Sequence, residues 1–292
     1  MKKKGVVIGL VLALASLWLL KPASTLVVDA HDDLPIDPTL AAVLANSSDQ
    51  PISVIVILKD QADVKVIGGP DRVERQRNVI QALQRKADST QAGLKALLKQ
   101  RQAEGRVQSF TPLWVFNAIA VTTNSTIINE LAALPEVDRI VLDSTIEAPP
   151  KLSPEASAGP PEQNLSVINA PAVWNLGFRG QGIVVASMDT GVDYTHPDLT
   201  AQWRGGSNSW YDPYGQHPTV PTDVNGHGTW TMGVMVGRDQ GGTSIGVAPE
   251  ATWIAVKVFN DSGTATSSAI HLGFQWLLDP DGNPLTADAP YL

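Results

Sequence analysis

The sequence predicts two folded units in series, a small ferredoxin-like α+β unit followed by an α/β unit with a mostly parallel sheet. Three observations carry this. Net charge breaks near residue 150: residues 51–150 hold twelve Lys/Arg against eleven Asp/Glu, and residues 151–292 hold five against thirteen. Residues 51–148 read as strand, helix, strand, helix, strand. Val184-Val185-Ala186-Ser187-Met188 is an apolar run between Gly182 and Asp189, the pattern of a strand buried on both faces of a parallel sheet.

With 292 residues and 43% hydrophobic content, the chain can support two cores. A net charge of −8 argues against a general nucleic-acid binder. No cysteine is present, which excludes a disulfide framework, a thiolate metal site and a Cys nucleophile.

Met1-Lys2-Lys3-Lys4 followed by the apolar run Gly5–Leu20 has the form of a secretory signal. Val28-Asp29-Ala30 places small residues at −3 and −1, so residues 1–30 are read as a signal peptide. An uncleaved anchor is the alternative. Either puts the remainder outside the cytoplasm, secreted or extracytoplasmic, with this segment as its one membrane contact.

Residues 31–50, polar and Pro-containing, are read as a linker. Ile52 to Leu58 is β-branched and predicts a strand. Between Asp71 and Glu104, Val79, Ile80, Leu83, Ala87, Leu94, Leu97 and Leu98 recur at helical spacing, which predicts a helix broken near Ser89-Thr90. Val107–Thr122 reads as a second strand region. Asn124 caps a short helix that Pro135 ends, and Val137–Leu142 is a closing strand. Residues 51–150 hold no histidine and no clustered carboxylates, so no chemistry is expected there.

After a linker at 149–165, residues 166–292 are read as one domain, and its segment 166–260 carries the chemistry. Asp189-Thr190-Gly191 ends the apolar strand, where open α/β sheets place their sites. Thirty-eight residues on, His227 in Asn225-Gly226-His227-Gly228-Thr229 opens an apolar, small-residue helix. An Asp on a strand end and a His on a helix start, in that order, suit an orienter–base pair.

The stretches Val185–Leu199 (VASMDTGVDYTHPDL), Asn225–Thr229 (NGHGT) and Ile245–Pro249 (IGVAP) resemble the subtilase family of serine proteases. Phe274–Pro290 is similar to its bacillopeptidase F-like branch. The resemblance implies a doubly wound, mostly parallel, subtilisin-like sheet in 166–292 and an inhibitory prodomain at 51–148. It implies peptide-bond hydrolysis by an Asp-His-Ser triad on protein or peptide substrates, with Asp189 and His227 in the triad. Gly263 and Thr264 would line the substrate cleft. No cofactor is required for catalysis, and Asp198 resembles a ligand of structural calcium.

The resemblance also implies a nucleophilic Ser and an oxyanion Asn well beyond residue 292. The chain is therefore expected to be the incomplete, by itself inactive, front part of a longer zymogen. The alternative is a dead product whose prodomain inhibits related proteases. Ser244, seventeen residues after His227, reads as a turn residue. Trp230 stands where many members carry a second His, and Trp203–Val224 reads as a family-variable surface loop. Asp279, Asp281 and Asn283 mimic a calcium loop, but Pro284 and Pro290 break that pattern and an Asp-Gly turn accounts for them. His196, His217 and His227 lack the spacing of a zinc site.

Overall fold

In the computed structural model, residues 35–46, 50–151, 162–240, 242, 244–286 and 288–290 are described. The signal segment expected at 1–30 lies outside them, as does most of the 149–165 linker. Among the described residues no helix is long and apolar enough to cross a membrane.

The first element corrects the expected linker at 31–50. Pro38–Asn46 is a helix (α1). Pro38 suits its first turn, Asp37 accepts a hydrogen bond from Thr39 N–H at 2.9 Å, and Leu40 is fully buried. Ile36 bridges Ile140, so this segment belongs to the α+β module.

That module is built from β1 (Ile52–Leu58), α2 (Arg72–Ala103), β2 (Val107–Leu113), β3 (Ala118–Thr123), α3 (Ser125–Ala132) and β4 (Val137–Leu142). The sheet order β2-β3-β1-β4 is antiparallel throughout, a βαββαβ ferredoxin-like arrangement with one strand more than the sequence predicts. Asp71 caps α2 by accepting Glu74 N–H, and Ile80, Leu83, Ala87, Gln91, Leu94 and Leu98 form its buried stripe.

The break expected at Ser89-Thr90 does not occur. Both hydroxyls donate back to Lys86 O, at 2.9 and 2.8 Å, so they are satisfied inside the helix. The single strand region expected at 107–122 is two strands. Asn117, at φ 44°, makes the turn between them. Its side chain donates to Asp60 O and Thr90 Oγ1 and accepts from Gln91 Nε2, which holds the hairpin on α2.

The short strand β5 (Thr145–Glu147) ends the first part, and the second opens with α4 (Gln163–Val167) and α5 (Ala170–Asn175). Its sheet contains β6 (Val184–Asp189), β7 (Trp210–Tyr211) and β8 (Thr252–Lys257), parallel in the order β6-β8-β7. Helices α6 (His227–Val236) and α7 (Ser267–Leu278) pack on it, with β9 (Thr264–Thr266) leading into α7. Met232, Val236, Trp253 and Ala255 fill one face, and Ile254, Val256, Val258 and Leu277 the other.

The strand buried on both faces is β8, whose last five residues are all buried. β6 is half-buried throughout, because among the described residues it has a strand partner on one side only. The Trp203–Val224 stretch is also more than a surface loop. Trp210 is buried in β7, and Trp203 stacks on Trp253 with ring centroids 6.3 Å apart.

Pro35–Leu292 form one compact unit in which the two parts are joined by specific contacts. β5 pairs antiparallel with β9, matching Glu147 with Thr264. Asp143 accepts from Ser268 N–H at 2.8 Å and from Ser268 Oγ at 2.6 Å, capping the start of α7 from the other module. Gln275 Oε1 accepts the backbone N–H groups of Trp114 and Val115.

Candidate active site

Asp189 ends β6, and its backbone carbonyl accepts Val258 N–H at 2.9 Å. Its carboxylate faces the first residue of α6. His227 Nδ1 lies 2.8 Å from Asp189 Oδ1 and 3.0 Å from Oδ2. A carboxylate only accepts, so Nδ1 carries the proton in this contact, and Nε2 keeps its lone pair for a substrate or nucleophile. Thr231, one helical turn on, lies 3.2 Å from Asp189 Oδ2 through its hydroxyl, and Thr190 N–H donates to Oδ1 at 2.7 Å. The pair is partly buried, with the His227 side chain 23% exposed and Asp189 14%.

Two glycines let the strand end and the helix start meet. A Cβ on Gly228 would lie 2.1 Å from Gly191 O, and one on Gly191 would lie 1.9 Å from Thr222 O. Gly191 also sits at φ 114°, a conformation open to glycine.

Sequence reasoning missed the residue that knits this region, Asp223. Its Oδ1 accepts from Thr190 Oγ1, Asn225 N–H and Gly226 N–H, at 3.0, 3.0 and 2.9 Å. Its Oδ2 accepts from Thr229 N–H at 2.9 Å and Thr229 Oγ1 at 2.6 Å. Burial would raise this carboxyl, but the donors from Gly226, Thr229 and Asn225 outweigh it and hold the group below its ordinary range. The available signal was Asp223-Val224-Asn225-Gly226, an Asx turn placed just before the helix.

The other expected site residues fall as follows. Thr264 lies in β9, and Gly263, at φ 84°, precedes it. The chain's own residues 145–148 run along this edge, with Ala148 N–H donating to Gly263 O at 2.7 Å. Tyr214 fastens the same edge from behind, donating to Val258 O at 3.0 Å and accepting Thr266 N–H at 3.1 Å.

Trp230 is 59% exposed, its ring centroid 6.3 Å from that of His227. Ser244 follows the far end of α6, roughly 15 Å of helix from His227. It lines a surface depression of about 540 Å³ with Arg179, Arg238 and Glu250.

Asp198 is buried and accepts Gln240 N–H at 2.6 Å, anchoring the loop after α6. Among the described residues it joins no group of three converging His, Asp or Glu ligands. The Asp-Gly turn at 281–282 is present: Gly282, at φ 72°, donates to Asp279 O.

The site thus joins an Asp at a parallel strand end to a His at a helix start. Residues 180–283 match the model of the subtilase family. Among individual relatives, it is 31% identical over 257 residues to bacillopeptidase F of Bacillus subtilis (strain 168), covering 80% of this chain and 18% of that protein. It is 43% identical over 104 residues to the major intracellular serine protease of the same strain, covering 35% of this chain and 32% of the relative. The chain thus spans less than a third of either.

In architecture it is similar to the epidermin leader peptide processing serine protease of Staphylococcus aureus. The TM-score is 0.57 at 16% identity, over 80% of this chain and 49% of that one, a likeness of fold.

Proposed function

We propose that the chain is the front part of a secreted serine endopeptidase precursor. In this reading Asp189 orients His227, and His227 Nε2 takes the proton of a serine nucleophile supplied outside residues 1–292. The serine attacks the scissile carbonyl to form an acyl-enzyme, which water hydrolyses. The observation that carries it is the two-oxygen contact of Asp189 with His227 Nδ1 at 2.8 and 3.0 Å. Among the described residues, the His227 ring makes its hydrogen bonds to Asp189 alone, and Ser244 lies at the wrong end of α6. Secretion is supported by the cationic-then-apolar sequence of residues 1–20.

The test is casein turnover by the complete gene product. His227→Ala should lower kcat by about 10⁶ and Asp189→Ala by about 10⁴, with the double variant no worse than the first. Full activity in His227→Ala would remove the assignment.

The inhibitory reading of residues 51–148 is favoured by one observation: β5 lies antiparallel on the β9 edge that contains Thr264. A chain segment in that position occupies the edge that an extended substrate would use. Its test adds the 292-residue chain at micromolar concentration to an active subtilase. Dose-dependent inhibition is expected, and its absence across several subtilases would sink this reading.

A further inference from the structure

β9 and the turn before it use their two edges differently. On one edge Gly263 O accepts Ala148 N–H at 2.7 Å and Ser267 N–H donates to Ser144 O at 2.8 Å, so this edge holds an extended segment, residues 144–148. Alternate backbone groups of a strand point to opposite edges. The N–H groups of Thr264 and Thr266 turn the other way, where Asn260 Oδ1 accepts the first at 3.0 Å and the Tyr214 hydroxyl the second at 3.1 Å.

The turn itself is pinned at Asp261. Its N–H donates to Gln216 Oε1 at 2.9 Å. Its carboxylate faces His217 Nε2, at 3.1 and 2.9 Å, and Lys257 Nζ at 3.2 Å. A carboxylate only accepts, so His217 Nε2 carries the proton in this contact. Burial would raise the Asp261 carboxyl, but the hydrogen bonds from His217 and Lys257 outweigh it and hold the group below its ordinary range.

The Lys257 side chain is wholly buried, and Asp261 is the counter-charge such an ammonium needs. The same ammonium donates to Thr190 O at 2.9 Å. Thr190 directly follows Asp189, so Lys257 links the turn to the strand end that orients His227. Tyr214, Gln216 and His217 all come from the segment between β7 and α6, a stretch the protease reading otherwise leaves without a task.

Resting on that reading, we propose that Asp261 is a positioning residue: held by His217 and Lys257, it fixes the 263–266 edge relative to Asp189 and His227 so that an extended peptide substrate can lie along it. Tyr214 completes the brace from the same segment. A loose edge has to be ordered when the peptide binds, so loss of the brace is felt in binding, and only by substrates long enough to lie on β9.

The test compares two substrates of the complete gene product, a chromogenic tetrapeptide anilide and the single-residue ester that shares its final residue. That residue is taken from the bonds the parent cuts in casein. His217→Ala and Tyr214→Phe should each raise KM for the tetrapeptide about fivefold, with kcat and all ester kinetics within about twofold of the parent. His217→Gln, whose amide N–H stands in for Nε2–H, should restore most of the loss. Asp261→Asn also removes the charge facing Lys257 and should raise the tetrapeptide KM about tenfold or more.

Equal KM changes for tetrapeptide and ester in His217→Ala and Tyr214→Phe would overturn the proposal. So would a tetrapeptide KM within about 1.5-fold of the parent in those two variants and in Asp261→Asn. In both cases turnover by the parent keeps the protease reading. A parent that cuts neither casein nor the ester would remove that reading, and the proposal with it.

Discussion

Replacing Asp223 by Asn is the perturbation that bears most directly on how the Asp189–His227 pair is held. The carboxylate accepts five hydrogen bonds, three at Oδ1 and two at Oδ2, all from residues 190–229. A carboxamide placed with its oxygen toward Thr190, Asn225 and Gly226 turns its NH₂ toward the N–H and hydroxyl of Thr229. The Thr229 hydroxyl already accepts Asp193 N–H, so rotation cannot relieve both donors.

One backbone donor is then left without an acceptor, at about 1–3 kcal/mol, and three charge-assisted bonds become neutral ones, at up to about 1 kcal/mol each. Partial solvent access reduces this to a net loss of about 3 kcal/mol, or a Tm drop on the order of 9 °C. Circular dichroism of the 292-residue chain under heat and urea measures it.

The pH dependence supplies a second readout. Asp223 is depressed from its ordinary 3.8, so its contribution is fully present above that value and is lost as pH falls through the lower folded-state value. The gap between the parent and Asp223→Asn should therefore hold from pH 7 to about 5 and shrink below about 4. A Tm within about 2 °C of the parent at pH 7, or a gap that does not shrink in acid, would refute the reasoning.

Gly228→Ala should force Gly191 and Gly228 apart, because the new methyl meets Gly191 O at 2.1 Å. It should cost about 1–3 kcal/mol of stability and, in the complete gene product, about 10²-fold in kcat. Thermal unfolding and casein turnover check the two parts. Asp143→Ala removes the cap given to α7 by the other module and should lower stability by about 0.5–2 kcal/mol, read as a shift in the urea midpoint. Asn117→Ala leaves Gln91 without a side-chain partner and places a non-glycine residue with no local polar support at φ 44°. It should destabilise the β2–β3 hairpin by about 2 kcal/mol, and amide exchange across residues 107–123 should accelerate.

What the sequence disclosed and what it hid divide along physical lines. Asp189 and His227 were legible only together, as a strand-end Asp before a glycine turn followed by a glycine-flanked His at a helix start. The order strand, helix, strand, helix, strand was legible from periodicity, but the 107–122 region read as one strand is two. Trp114-Val115-Phe116 continues the apolar character through the turn, so only the left-handed backbone of Asn117 marks the bend.

The Asp223 network stayed hidden because its meaning lies in three dimensions, where one carboxylate collects donors from 190, 225, 226 and 229. Burial of Trp203 and Trp210 was equally unreadable. It depends on Trp253 and Ala255, residues of a strand more than forty positions further along. Ser89 and Thr90 looked like helix breakers because hydroxyls compete for backbone groups, but here that competition is satisfied within the turn by Lys86 O.

The central claim is that Asp189 and His227 activate a serine. Covalent labelling of the complete gene product with a fluorophosphonate, which reacts with activated serine hydroxyls, tests it most directly. The account predicts one labelled serine per molecule, with labelling abolished by His227→Ala and strongly slowed by Asp189→Asn. A label that persists at the parent rate in His227→Ala would contradict it.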